Sequence, residues 1–479
     1  MALITIQDFD AVPMRETAII ELLATDVAGR EVKVMRACTL VEPRFPIGVW
    51  QSSSDFRTHK YRQELSEARI DAPFLGLRSG DYPEEFFEKY GFVPMGNPRP
   101  FVGGELEPEF EQEMLDFIER YGNSPRFIAY NSAEEPDWHK SETPYPVTMT
   151  TLARTEALRK VAPRHPIGGT LCRFRRFYQF APIFDIPIMD AYRVGAPSAD
   201  KGPLRWGNYL ESVSAYTQDL KRNSEPSPIW VWAQGVHTWS GRAFVDGQIG
   251  NPIPTPSEAR AQLYMQLGEG AKGVLWFRYM TPDNMENTYR NDFKKMKERI
   301  EELEKQGELR DWMEGWQISE SDLDAAFKQY RKFWADTWAA MREMNTEMCM
   351  LRPILSRGGV YPQVWVKSAS NRRKIYLAAI ASDQAVVLFV VNLDYDFHPR
   401  GYRFKIQQGI RLGVETPVWL PSAESAWLIK GERMTSMETQ QENGKLVIEL
   451  DSLQDAAIVL IGDEGLADSL TSDTRSILP

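Results

Sequence analysis

The sequence predicts a (β/α)8 TIM barrel followed by a C-terminal antiparallel β-sandwich, and three observations carry that reading. Between Phe45 and Tyr279, short apolar runs alternate with amphipathic, helix-like stretches, the pattern of parallel βα units. From about Tyr361 the hydrophobic period changes to two, as half-buried strands require. The chain has 479 residues, beyond the usual size of one domain, so a large domain with at least one smaller companion is expected.

The first forty or so residues hold two strand-like runs, TAIIELLA and EVKVMRACTL. Two strands cannot close a core alone, so they read either as the remnant of a β-domain or as strands packed on the barrel. Eight runs then read as barrel strands: Phe45–Trp50, Ala72–Leu77, Phe92–Met95, Phe127–Asn131, Pro166–Leu171, Ile186–Ala191, Ile229–Gln234 and Gly273–Tyr279. Between them lie helical patterns such as HKYRQELSEARI, EPEFEQEMLDFIERYG and TTLARTEALRKVA, apolar at intervals of three and four. The third unit is the weakest, being short and rich in proline. Charged helical segments follow at Asp292–Gln306 and Ser321–Met348, and the aromatic and methionine stripe of the second reads as a face packed on the barrel wall. The runs KIYLAAIA, AVVLFVVN, YRFKI, LVIEL and AAIVLIG, separated by turn residues, make the sandwich. The expected organisation is a strand-like segment at 1–44, the barrel with trailing helices at 45–355, the sandwich at 356–465 and a flexible tail at 466–479.

Composition excludes several function classes. Net charge is −11 and no Lys/Arg-rich block tracks a phosphate backbone, which argues against nucleic acid as a partner. Cys38, Cys172 and Cys349 are few, scattered and odd in number, supporting neither a disulfide framework nor a zinc site. The five histidines include no HxH or HExxH pair, so no metal is expected, and no phosphate loop or GxSxG elbow points to a cofactor or a nucleophilic serine. No stretch is long and apolar enough to span a membrane, so no membrane partner is expected. The start, MALITIQDFDAV, lacks the basic and apolar regions of a secretory signal; an extracellular or periplasmic location follows only if the N-terminus is truncated. Oligomeric state is not legible.

The segment RFIAYNSAEEPDW is the most informative. An apolar strand stops at Glu134 and Glu135, followed by Pro136 and Trp138. In a parallel barrel the C-terminal strand ends face the substrate loops, so a carboxylate there is a catalytic candidate. Adjacent like charges push one pKa up, which suits a proton donor. In an extended strand neighbouring side chains point to opposite faces, so only one of the pair need face the pocket. The competing explanation for Glu135 is a buried carboxylate paired with Arg126 or Arg173. The 14 tryptophans, Trp138 among them, leave aromatic faces for a planar ligand such as a sugar ring.

Three features together resemble the (β/α)8-barrel glycoside hydrolases of clan A, in the β-galactosidase and agarase group. They are EEP closing strand four, PIWVWAQG in strand seven, and the link PTPSEARAQLYMQLGEGAKGVLWFRY into strand eight. The resemblance covers roughly Phe45 to Gly462. It implies that Glu135, before Pro136, is the general acid/base, with Glu134 where Asp or Asn commonly stands. It also implies a nucleophilic Glu at the end of strand seven, where this chain has Gln234. Trp276 matches the clan's platform aromatic, with Arg278 beside it.

Hydrolysis with retention needs a carboxylate on each side of the anomeric carbon, and an amide cannot form the glycosyl ester. The departure at Gln234 leaves four explanations: a shifted alignment, another acid such as Asp190 at the end of strand six, a nucleophile supplied by the substrate and oriented by Glu134, or a barrel that binds sugar without cleaving it. Tyr192 is placed to orient a carboxylate or touch sugar. Gln234 and His237 follow strand seven as candidate sugar contacts. The expected activity is cleavage of a glycan or oligosaccharide, with Glu135 as acid/base and Asp190 or Glu134 as second carboxylate. A non-catalytic carbohydrate-binding or scaffold barrel is the alternative, and the chain being one piece of a larger enzyme is a third possibility.

Overall fold

In the computed structural model the chain is described over residues 17–25, 31–39, 44–50, 56–76, 87–97, 112, 116, 127–138, 145–162, 165–194, 209–236, 244–245, 248–249, 253–307, 320–370, 372–396 and 401–476. Strands β1 (Thr17–Thr25) and β2 (Glu31–Thr39) pair antiparallel, Thr17 opposite Thr39, as a two-stranded sheet. The barrel strands are β3 (Ile47–Trp50), β4 (Ala72–Gly76), β5 (Met95–Asn97), β6 (Ala129–Glu134), β7 (Ile167–Leu171), β8 (Ile186–Asp190) and β9 (Trp230–Gln234). After a small hairpin of β10 (Phe244–Val245) and β11 (Gln248–Ile249), β12 (Val274–Phe277) returns between β9 and β3 and closes the barrel.

All eight expected strands have a counterpart. The third is displaced to Met95–Asn97 because Phe92, expected inside it, stacks on Tyr90 and packs at a tilt against Phe56 in the outer core. The fourth runs three residues further than expected, to Glu134.

Strand alternation sorts the side chains. Phe74, Met95, Ala129, Ile186, Ile188, Trp230, Trp232 and Leu275 fill the interior. Ile47, Val49, Leu171, Val231, Ala233, Val274 and Trp276 point outward to the helices. Gly48 faces inward where a Cβ would sit 2.3 Å from Leu275 Cδ2, so glycine is what admits leucine there.

Helices α1 (His59–Glu67), α2 (Tyr145–Val161), α3 (Ser212–Ser224) and α4 (Pro256–Gly268) belong to the barrel units, and α5 (Pro282–Gln306) and α6 (Glu320–Arg357) follow. The α6 stripe, Trp338, Met341, Met344 and Met348, is buried in the outer core as expected. Helix α4 opens with a capping box in which Thr255 accepts from the Glu258 backbone and Glu258 Oε2 accepts from the Thr255 N–H at 2.7 Å. The other oxygen of Glu258 accepts from the Tyr402 N–H at 2.7 Å, so one buried carboxylate caps the helix and ties it to the sandwich.

The sandwich has a six-stranded and a four-stranded antiparallel sheet. Val386, Leu388, Val390, Ile410, Leu412, Ile448, Val459 and Ile461 form the core between them. On the six-stranded sheet, Val387, Phe389, Val391 and Leu460 join the outer core of the barrel. That explains why the strand Ala385–Asn392 is apolar at seven of its eight positions, with no polar face. Phe389→Ala is expected to cost about 3 to 5 kcal/mol in urea unfolding, since the buried ring packs against Tyr264 of α4. The tail expected to be flexible carries a helix, α7 (Leu466–Ser476), whose Leu470 is buried. Among the described residues no helix is long and apolar enough to cross a membrane.

Candidate active site

Strand β6 is bulged: its register with β7 slips between Asn131 and Ala133. The extra residue resets the alternation. Asn131 and Glu134, three apart, therefore share a side, and Asn131 Nδ2 donates to Glu134 Oε2 at 3.1 Å. Ser132 turns the other way, to Thr155 of α2 and the Gly168 carbonyl. Glu135 follows with φ at +45°, a left-handed conformation that costs a non-glycine residue roughly 1 kcal/mol or more and tends to mark functional turns. Its N–H donates to Thr170 O at 3.0 Å. The bulge and turn bring both consecutive carboxyls to Asp190, the last residue of β8. Strict alternation predicted only one.

The Glu135 carboxyl sits beside that of Asp190 and interacts with it directly. Burial, with the Glu135 and Glu134 charges beside it, pushes Asp190 well above the usual carboxylate range. The Tyr192 hydroxyl lies beside Asp190, and burial together with the acids raises Tyr192 too, so it stays protonated. Glu134 is pushed up to about 8, first by burial and then by Glu135. Thr170 and Asn131 oppose that shift by hydrogen-bonding the carboxyl. Trp232 Nε1, a donor only, bonds to Thr170 Oγ1 at 3.1 Å, which leaves the threonine hydrogen for Glu134.

Asp137, which the sequence reading passed over, is fully buried and accepts from the N–H groups of Cys172 and Arg173, at 3.0 and 2.6 Å. It joins the loops after β6 and β7. Burial raises it to about 6 despite those bonds. Aromatic rings wall the interior below the acids. Trp50 stacks on Phe74 at 4.7 Å, Trp232 meets Phe74 edge-on at 5.4 Å, and Tyr192 stacks on Phe277 at 5.2 Å. Trp138 is 57% exposed, with the Arg173 guanidinium 4.4 Å over its ring.

Two candidates have other roles. Gln234 is buried, accepts from the Val194 N–H at 3.0 Å and donates to the Val194 carbonyl. An amide can do both and a carboxylate cannot. With Gln262, which accepts from the Arg193 N–H at 3.2 Å, it fastens the loop that carries Tyr192. Trp276 is not a platform: it points outward, fully buried, and donates to Asn345 of α6 at 2.8 Å. One residue on, Phe277 has the inward parity and is partly buried against the interior rings. Arg278 is half-buried beside it, its guanidinium against Met280 Sδ. His237 lies outside the described residues, as does Arg126. Counting parity back from Gln234 would have pointed to Trp232, and from Leu171 to Thr170. Nothing in the sequence announces the bulge.

The raised acids have a stability consequence. Glu134 keeps its proton in the folded state up to about pH 8, whereas the unfolded chain releases it near 4.5, so the folded state binds the extra proton between those values. Stability therefore falls as pH rises through that window. Asp137 and Glu347, raised to about 6 and about 7 mainly by burial, act in the same direction. The melting temperature is expected to drop from pH 5 to pH 8, and Glu134→Gln to flatten that slope; an unchanged slope would contradict the assignment.

Among the described residues no three His, Cys, Asp or Glu side chains are arranged to hold a metal ion. Fold and site define a closed parallel barrel with a carboxyl cluster at the C-terminal ends of β6 and β8, over an aromatic interior. No protein-family model and no curated protein matches the chain. Among solved structures it is similar to α-L-fucosidase isoenzyme 2 from Paenibacillus thiaminolyticus, at 8% identity, over 88% of this chain and 100% of that one, with a TM-score of 0.46. It is similar to a β-galactosidase from Rahnella sp. R3 at 10% identity, over 88% and 98%, with a TM-score of 0.44. With the β-galactosidase from the psychrophilic Marinomonas ef1 the values are 14% identity, 49% of this chain, 54% of that one and a TM-score of 0.37, so the chain spans about half of that protein.

Proposed function

We propose that the chain is a glycoside hydrolase acting on a glycan or oligosaccharide, with Glu135 and Asp190 as its working carboxyls. The observation that carries this reading is the meeting of these two carboxyls at the barrel mouth. Two carboxyls in contact share one proton, because both cannot ionise side by side. In the resting site Asp190 holds it. As the glycosidic bond breaks, that one proton moves from Asp190 through Glu135 to the leaving oxygen, and the pair is left ionised beside the developing positive charge. Water then enters the place of the leaving group, adds its oxygen to the anomeric carbon and returns its proton to the pair. Two-sided sites hold their carboxyls roughly 5 to 5.5 Å apart for retention or 6.5 to 9.5 Å apart for inversion, with the sugar between them, whereas Glu135 and Asp190 interact directly. Asp190 is accordingly a proton partner rather than an opposite-face nucleophile, and retention of anomeric configuration is the expected outcome. Proton NMR of freshly released sugar tests this: an inverted product rejects the one-sided mechanism.

A second reading, a carbohydrate-binding barrel without turnover, is favoured by Gln234, which leaves the end of β9 without a carboxylate. Product analysis over a panel of glycans, run beside calorimetry, separates the two. Release of sugar supports hydrolysis; saturable binding without release supports the binding barrel.

A further inference from the structure

A cavity lies at the opposite end of the barrel from the carboxyl cluster, among the segments that lead into β3, β4, β5 and β6. It has a volume of about 520 Å³, within the range of small-molecule sites. Its charged lining is Arg44, Arg69, Lys89 and Arg352 against Asp71 and Glu88, a surplus of cations in a chain whose net charge is −11. Asp71 is already engaged: one oxygen accepts from the Ile47 N–H at 2.9 Å and the other meets Arg352 at 2.7 Å. The Nε of Arg352 is buried without an acceptor among the described residues. Phe45, Ile70 and Val93 supply apolar wall.

The backbone adds an independent observation. Helix α1 ends in a Schellman-type turn, with Ile70 N–H donating to Leu65 O at 3.0 Å and Arg69 N–H to Ser66 O at 2.9 Å. Arg69 occupies the left-handed position of that turn, φ +58°, where glycine is the favoured residue. An arginine is held there against its conformational preference, and its side chain lines the cavity. Its ion pair among the described residues, 3.3 Å to Glu432, is with a side chain 75% exposed, too weak a contact to account for the choice.

We propose that this cavity is a second, non-catalytic binding site for a small organic anion, one with a carboxylate or phosphate head for the Arg69 and Arg352 guanidiniums and an apolar or aromatic body for the wall. Arginine suits either head because its planar fork bonds both in bidentate fashion.

Calorimetry on the full chain tests this, with phenyl phosphate and benzoate as the two head groups and phenol as the uncharged control. Saturable one-site binding of at least one anion near or below about 1 mM is expected, with phenol weaker by at least about tenfold. Arg69→Gly should weaken the anion by at least about tenfold while leaving the melting temperature equal or higher, because glycine relieves the left-handed strain. Ser66→Trp, which fills the cavity without removing a charge, should abolish binding and leave any sugar binding at the barrel mouth unchanged. Absence of saturable binding by both anions overturns the proposal, as does phenol binding equally well. Anion binding that survives both substitutions lies elsewhere and also overturns it. The site does not depend on the glycosidase reading, so either can fail without the other.

Discussion

Replacing Glu135 by Gln is expected to lower turnover on any glycoside the protein cleaves by at least about a hundredfold, the usual size of a lost general acid/base. The substitution keeps the shape of the side chain and removes the carboxylate that relays the proton to the leaving oxygen. It also removes a charge that helps hold the proton on Asp190, so the Asp190 pKa should move down. The pH profile of any residual activity should shift toward acid in consequence. Asp190→Asn should lose activity to a similar degree, and the double variant should lose little more than either alone, because the two act as one proton-sharing unit. Steady-state rates against pH for the three variants provide the check. Unchanged turnover in Glu135→Gln removes the assignment, and strictly multiplicative losses in the double variant remove the shared proton.

Gln234→Glu is expected to destabilise the fold by about 2 to 4 kcal/mol and to lower activity. The resemblance to clan A suggests the opposite, since a glutamate at that strand end would supply a nucleophile. The geometry decides between them. Gln234 donates to the Val194 carbonyl, and a carboxylate would instead set an acceptor against an acceptor in a buried place. The loop over Asp190 and Tyr192 would loosen, taking the tyrosine hydroxyl away from Asp190. Urea unfolding and turnover measured together distinguish the outcomes; a stable variant with higher activity would show that the amide is a replaced nucleophile after all.

The sequence by itself determined the order of elements. Each barrel strand is a short apolar run between amphipathic helices, and burial by the helix layer writes that periodicity into local composition. The carboxyl pair before Pro136 was legible for the same reason: polar residues interrupting an apolar strand stand out. Periodicity reports that a residue is buried but not what buries it. Trp276 and Phe277 are equally apolar in sequence, and only strand parity in the closed barrel sends one to Asn345 and the other to the mouth. Gln234 reads as a substituted catalytic residue until Val194 is found opposite both ends of its amide. The meeting of Glu134 and Glu135 at Asp190 needs a bulge in β6 and a left-handed Glu135. Both are conformations that the barrel imposes on residues with no local preference for them, so the tertiary structure alone could decide them.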